Sequence, residues 1–137
     1  MAKTKPIDID ALVAQAVPPR PNPQLAFTMP VRVNSNTNSW TGWKDTWARQ
    51  KAQKKALFVY WRKAAGAGFE VSLPCLVRLV RVGQKSLDTD NLAESMKSIR
   101  DAVAKSIGID DGDERIKWEY EQVAVGKRIY QVRVEVY

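Results

Sequence analysis

The sequence predicts a single α/β domain of the α+β kind, with a mixed β-sheet of about four strands packed against two main helices. Three observations predict it. The chain has 137 residues, the length of one domain, and 45% of them are hydrophobic, enough for a real core. Two long stretches repeat apolar residues at helical spacing, while four others are β-branched or alternate with a period of two. The two kinds succeed one another as strand, helix, strand, helix, strand, strand, which lays helices against one sheet.

Residues 1–23 end in PPRPNP, and prolines at 18, 19, 21 and 23 exclude a helix there. This segment reads as an extended N-terminal arm, although Asp8 to Val17 is compatible with a short helix. The domain proper runs over 24–137. Residues 24–33, QLAFTMPVRV, form a first strand ended or interrupted at Pro30. NSNTNS (34–39) is a polar loop able to cap the helix after it.

The stretch 42–65 is the strongest helix. At 100° per residue, Trp43, Trp47, Gln50, Leu57, Phe58, Trp61 and Ala65 fall on one side. Lys44, Lys51, Lys55 and Arg62 form an adjacent stripe, and Gly66 and Gly68 end the helix. FEVSLPCLVRLVRV (69–82) is one long strand or two broken at Pro74. Leu92, Met96, Ile99 and Val103 predict a second helix over 91–106, ending near Gly108. Ile116, Trp118 and Tyr120 alternate with Lys117, Glu119 and Glu121, and Tyr130, Val132, Val134 and Val136 alternate with Gln131, Arg133 and Glu135. Gly126-Lys127 lies between these last two strands, which predicts a hairpin.

Composition narrows the chemistry. There is no histidine, which excludes zinc fingers, histidine general bases, Ser-His-Asp triads and the His-containing nuclease motifs. The single cysteine, Cys75, sits in an apolar run and reads as a buried apolar residue. No apolar run approaches the roughly 18–20 residues of a membrane span, so no membrane partner is expected. MAKTKPIDID has no apolar core of a signal peptide, so the expected location is the cytoplasm. The net charge is +7 and unevenly spread. Residues 1–66 hold eleven basic and three acidic residues, a net of +8, against −1 for the rest. A basic half suggests a polyanionic partner. The stripe of Lys44, Lys51, Lys55 and Arg62 could track a phosphate backbone or be an ordinary solvated face. Among the tryptophans, Trp43, Trp47 and Trp61 point to core or dimer packing, and Trp40 in the polar loop is the better candidate for a DNA contact.

The acids of the second half are clustered. Leu87-Asp88-Thr89-Asp90-Asn91-Leu92 lies between a strand end and a helix start, and in an extended backbone Asp88 and Asp90 project to the same side. Two carboxylates held together favour a cation, and Mg²⁺ takes a few carboxylate oxygens while keeping several waters. Asp90 is equally suited to capping the second helix. The cluster Asp110-Asp111-Gly112-Asp113 is either a second contributor to that ion site or an acidic turn. Lys97, seven residues after Asp90, shares its azimuth on a continuous helix and could stabilise charge on a phosphate. Alternatively Glu94, Lys97 and Asp101 form a solvated ion-pair ladder.

Taken together, Asp88-Thr89-Asp90-Asn91-Leu92, a helix with Lys97 and Asp101-Ala102-Val103, and then Ile109-Asp110-Asp111 resemble the RusA-like endodeoxyribonucleases. These are Holliday-junction resolvases common in phages and prophages. The resemblance covers roughly residues 70–136, with a looser echo at Asn34-Ser35-Asn36. It implies the RusA-like fold and a homodimer that binds four-way DNA junctions and nicks them symmetrically. It also implies Mg²⁺ or Mn²⁺ held by Asp88, Asp90 and Asp111, Lys97 assisting catalysis, and Asn91 and Asp110 supporting the ligands from beside them. A metal-activated water would attack the phosphodiester. The family's lysine stands four residues after the second Asp, where this chain has Glu94. An insertion of three residues, close to one turn, would return Lys97 to that face. Three readings remain: a junction endonuclease, a non-catalytic DNA-binding recombination accessory protein on the same scaffold, and a structural phage protein whose acidic turn only binds ions.

Overall fold

The run CLVRLVRVG has β-branched residues on both faces, so it suits a strand covered on both sides. The computed structural model describes residues 8–33 and 42–137, with side chains from Lys44 onward in the second span. In it Cys75–Gly83 forms strand β2, buried along nearly its whole length. The other strands are β1 (Leu25–Met29), β3 (Ile116–Ala124) and β4 (Gln131–Val136). They form one mixed sheet in the order β1-β4-β2-β3. β2 pairs with β3 in parallel, from Cys75 opposite Ile116 to Gly83 opposite Ala124. It pairs with β4 antiparallel, Leu79 opposite Val134, and β1 closes the other edge. The expected fold class, about four mixed strands with helices against them, is the one observed.

Helix α2 (Gly42–Ala65) spans the predicted range and stops where Gly66 takes a positive φ of 73°. It packs Leu57 and Trp61 against β1 and a later helix, with the Phe27 ring edge-on to Trp61 at 6.1 Å. Its buried Gln53 donates to the Arg32 carbonyl at 3.0 Å and accepts from the Ser98 hydroxyl.

The second predicted helix is two. Thr89–Ser95 forms α3 and Lys97–Ile107 forms α4. Between them Met96, fully buried, has φ −92° and ψ 0°, and its N–H reaches back to Ala93. α4 ends on Gly108 in the left-handed region, as the glycine predicts.

The predicted hairpin is not formed. β3 lies at the sheet edge, and the chain passes the end of β2, with Val125 and Gly126 bonding to Gly83 and Gln84, before β4 enters between β1 and β2. The burial explains the choice. Val132, Val134 and Val136 are all fully buried and Glu135 is only 1% exposed, so both faces of β4 need cover, whereas β3 exposes Lys117 and Glu121. The predicted strand over 69–82 is also shorter than expected. Residues 69–74 stay outside the sheet, and Gln24 clamps Ser72 through both its N–H (2.7 Å) and its carbonyl (3.0 Å).

The segment expected as an extended arm over 1–23 is corrected in part. Residues 1–7 lie outside the described residues, as do the 34–39 loop, Trp40 and the Trp43 side chain. Ile9–Ala16 forms helix α1, started by the Asp8 carboxylate accepting from the Ala11 N–H. Val13 and Val17 pack on Val80, Val82 and Val123, forming a third layer behind the sheet. Beneath it lies a buried charge network. Arg78 donates twice to Glu135, at 2.8 and 3.0 Å, and once to the Pro18 carbonyl at 2.9 Å. Arg133 donates to the Val17 carbonyl at 2.6 Å, and the Tyr137 hydroxyl donates to Glu135 at 2.5 Å. The polar face of β4 holds the N-terminal segment.

The network can be tested in two ways. Glu135→Ala strands a buried guanidinium, so unfolding in urea should show a loss of about 3–5 kcal/mol. Desolvation, followed by the hydrogen bond to Glu135, pushes the Tyr137 phenol above its ordinary pKa, so the folded chain holds that proton longer than the unfolded one. This stabilisation is complete below the unfolded value of about 10 and is lost as pH rises through the folded value. Alkaline denaturation above about pH 10 should therefore be less steep in Tyr137→Phe than in the parent.

Candidate metal and nucleic-acid site

The segment leaving β2 is held from two sides. Arg81, 3% exposed, donates to the Val33 carbonyl at 2.9 Å and the Lys85 carbonyl at 2.8 Å. Desolvation pulls its pKa below the ordinary arginine value. The guanidinium folds over Gly83, where an added Cβ would lie 2.6 Å from it, so only glycine fits that position without displacing the arginine. From β3, the Gln122 amide accepts from the Leu87 N–H at 2.9 Å and donates to the Leu87 carbonyl at 2.6 Å.

This clamp presents Asp88. Asp88 is the N-cap residue of α3, in extended backbone (φ −61°, ψ 153°), yet its side chain makes no capping bond. Asp90 lies in the first turn, so the helix cap expected of Asp90 belongs by position to Asp88. Both are exposed, and among the described residues neither carboxylate has a hydrogen-bond or ion-pair partner. Asn91 is half-buried one residue further on.

The second acidic cluster is committed elsewhere. The Asp111 carboxylate accepts from Arg100 Nε at 3.0 Å. Its carbonyl accepts from Arg100 at 3.1 Å and from the Trp118 indole at 2.9 Å. Arg100 also donates to the Tyr120 hydroxyl at 3.0 Å and lies 4.8 Å from the Trp118 ring. Desolvation opposes the Arg100 charge, but Tyr120 and Asp111 outweigh it and raise the pKa. Asp113 pairs with Arg115 at 2.9 Å, whose hydrogen bonds hold its carboxyl down at about 2. Asp110 and Asp111 line a cleft with Lys54, Asp101 and Lys105, and the Asp101–Lys54 pair (3.9 Å) joins α4 to α2. The ladder of Glu94, Lys97 and Asp101 is thus replaced by a contact between helices.

Among the described residues, no three Asp, Glu, His or Cys side chains lie close enough to hold one metal ion. Asp88 and Asp90 are neighbours in the chain, but Thr89 and Asp90 are already helical and not in the extended backbone that would set both carboxylates on one side. Asp111 stays with Arg100, ten residues along the helical run from Asp90. Lys97 is exposed at the start of α4. The break at Met96 removes the continuous 100° count that put Lys97 on the Asp90 azimuth. The fit to a metal is therefore divided. Two unpartnered carboxylates suit Mg²⁺, which takes one or two protein carboxylates plus waters and substrate phosphate. A third ligand from Asp111 does not fit this arrangement.

Basic groups line a cleft at the residue before Asp88. Arg32, Lys85, Gln84 and Tyr130 line a small cleft that reaches Leu87, next to Asp88, with the Arg32 guanidinium 4.3 Å from the Tyr130 ring. On α2 the predicted stripe is present: Lys44, Lys51, Lys55 and Arg62 are all exposed. Trp47, expected on the buried side, is 58% exposed, because no α2 side chain described before Gln53 is buried. Gln122, Arg100 and Arg32 carried no sequence signal, since each acts through a partner distant in the chain.

No family model matches this chain, and no curated protein matches its sequence. Among the described residues no helix is long and apolar enough to cross a membrane.

The clamp makes a direct expectation. Gln122→Ala removes two hydrogen bonds of roughly 0.5–1.5 kcal/mol each. Amide exchange at Leu87 should accelerate while that of the core β2–β4 ladder is changed far less.

Proposed function

We propose that the chain is a metal-dependent DNA endonuclease of the RusA kind, acting on branched DNA such as four-way junctions. The observation that supports this reading is Asp88 and Asp90, exposed and without partners among the described residues, on a segment held by Arg81 and Gln122 that follows a cleft lined by Arg32 and Lys85. Carboxylates that follow a basic cleft along the chain would meet the two needs of phosphodiester hydrolysis, a cation site and a cradle for the substrate's phosphates. Asp88 and Asp90 would hold Mg²⁺ or Mn²⁺, which supplies a water nucleophile at neutral pH and stabilises the leaving oxygen. Arg32 and Lys85 orient the adjacent phosphate, while Lys44, Lys51, Lys55 and Arg62 bind the DNA backbone further out. Lys97 would assist catalysis and Asn91 would support the ligands, as the resemblance implies, and Asp110 stands outside the pair. A homodimer would bring two such sites to one junction, and cytoplasmic DNA is the expected substrate.

A second reading, a non-catalytic DNA-binding accessory protein, is favoured by the Arg100–Asp111 pair, which withholds the third carboxylate.

Incubation of the purified protein with a synthetic four-way junction and Mg²⁺ or Mn²⁺ tests both. The endonuclease reading expects nicked duplex products, a loss of at least about 100-fold in rate for Asp90→Asn, and retained junction binding. Binding without cleavage in either metal would favour the accessory protein. Cleavage of linear duplex as fast as the junction would leave a nuclease but remove the junction substrate. Asp111→Asn reports on the third ligand: a small effect on rate places Asp111 with Arg100, and a loss like that of Asp90→Asn brings it to the metal.

A further inference from the structure

Helix α2 is longer than the core that supports it. Its 24 residues span about 36 Å. Gln53, Leu57 and Trp61 bury its second half, and among the described residues of the helix nothing before Gln53 is buried. Along its outer side, Trp47, Lys51, Lys55, Phe58 and Arg62 recur at intervals of three and four, a straight stripe on an α-helix. Among the described residues, all the exposed large apolar side chains belong to this helix: Trp47 at 58%, Val59 at 42% and Phe58 at 37%. The Lys51 ammonium lies 4.9 Å from the Trp47 ring. Aromatic rings and cations are therefore interleaved on one surface.

We infer that this face of α2 binds an unpaired DNA strand, with bases stacking on Trp47 and Phe58 and phosphates meeting Lys51, Lys55 and Arg62. The inference rests on the DNA-binding part of the function proposed above and names the kind of DNA. Charge decides among the occupants. Residues 42–65 carry seven basic side chains and one acid, Asp45. A second copy docked through the same helix would set these cations against each other with only Asp45 to offset them. A lipid surface needs an apolar face segregated from the charges, and here a lysine sits over the tryptophan. A closed duplex would use the cations and leave the rings idle, because its bases are already stacked. An unpaired strand uses both, and aromatic platforms in a basic groove are the general means of holding one. Trp47 and Phe58, eleven residues apart, stand about 16 Å from each other along the helix, so they would receive bases several nucleotides apart.

The test is fluorescence anisotropy with a labelled 20-nucleotide oligo(dT) and a blunt duplex of equal length, in EDTA. Trp47→Ala should weaken oligo(dT) binding by about 5- to 150-fold, the range of one lost base stack, and duplex binding by less than about 2-fold. Its dependence on salt should stay the same, and Trp47→Phe should recover most of the affinity. Lys51→Ala with Lys55→Ala should weaken both DNAs and reduce the slope of log K against log salt on oligo(dT) by about 1.4. Because Trp47 is exposed, unchanged circular dichroism is expected for its variants. An unaffected Trp47→Ala, or equal losses on strand and duplex, overturns the inference. So does a dimer that Trp47→Ala converts to monomer with strand binding unchanged, or preferential binding to anionic vesicles over oligo(dT). The assay contains no divalent cation, so failure of strand binding and failure of junction cleavage are read separately.

Discussion

Two buried arginines on the central strand hold the molecule together. Arg78 and Arg81 are three residues apart on β2, so they point to opposite faces of the sheet. Each is 5% exposed or less, and each finds carbonyl acceptors in segments that lack regular structure. Arg78 takes Pro18 behind the sheet, with Glu135 balancing its charge. Arg81 takes Val33 and Lys85 in front. A buried guanidinium carries five donors and tolerates few left unmatched, so it fixes the path of whatever chain supplies its acceptors. The N-terminal layer, the exit from β1 and the exit from β2 are all tied to one strand in this way.

That tie accounts for the two fates of the acidic residues. The chain leaving β2 is committed by Arg81 and then by Gln122, so Asp88 and Asp90 emerge on a held segment, their carboxylates without partners among the described residues. The chain entering β3 is committed by Arg100, which takes both the carboxylate and the carbonyl of Asp111 and rests on Trp118 and Tyr120. The same kind of group, a guanidinium, presents one acidic cluster by holding the backbone nearby and occupies the other by pairing with it.

Much of the architecture was legible because it rests on local periodicity. The α2 range, the end at Gly108 and the alternation of β3 and β4 come from spacings of 2 or 3.6 and from glycine at helix ends, and the buried character of Cys75 comes from the apolar run around it. The misreadings have specific physical causes. Gly126 suggested a hairpin, but a turn residue cannot report whether the next strand pairs with its neighbour or crosses to a strand needing cover on both faces. Leu92, Met96, Ile99 and Val103 kept helical spacing across Met96, where one helix ends and the next begins, since apolar residues on both sides still meet the same core. Trp47 shares an azimuth with Trp61, but azimuth does not say how far along a helix the core extends.

By itself, the sequence determined the element types, the basic first half, the placing of Asp88 and Asp90 at one helix start and the stripe of cations on α2, because these depend on neighbours in the chain. Tertiary structure alone decided the strand order, the use of Asp8–Val17 as a third layer, the capture of Asp111 by Arg100 and the exposure of Trp47. Those outcomes depend on which distant groups satisfy a buried donor or cover an apolar face, and such partners leave no local pattern to read.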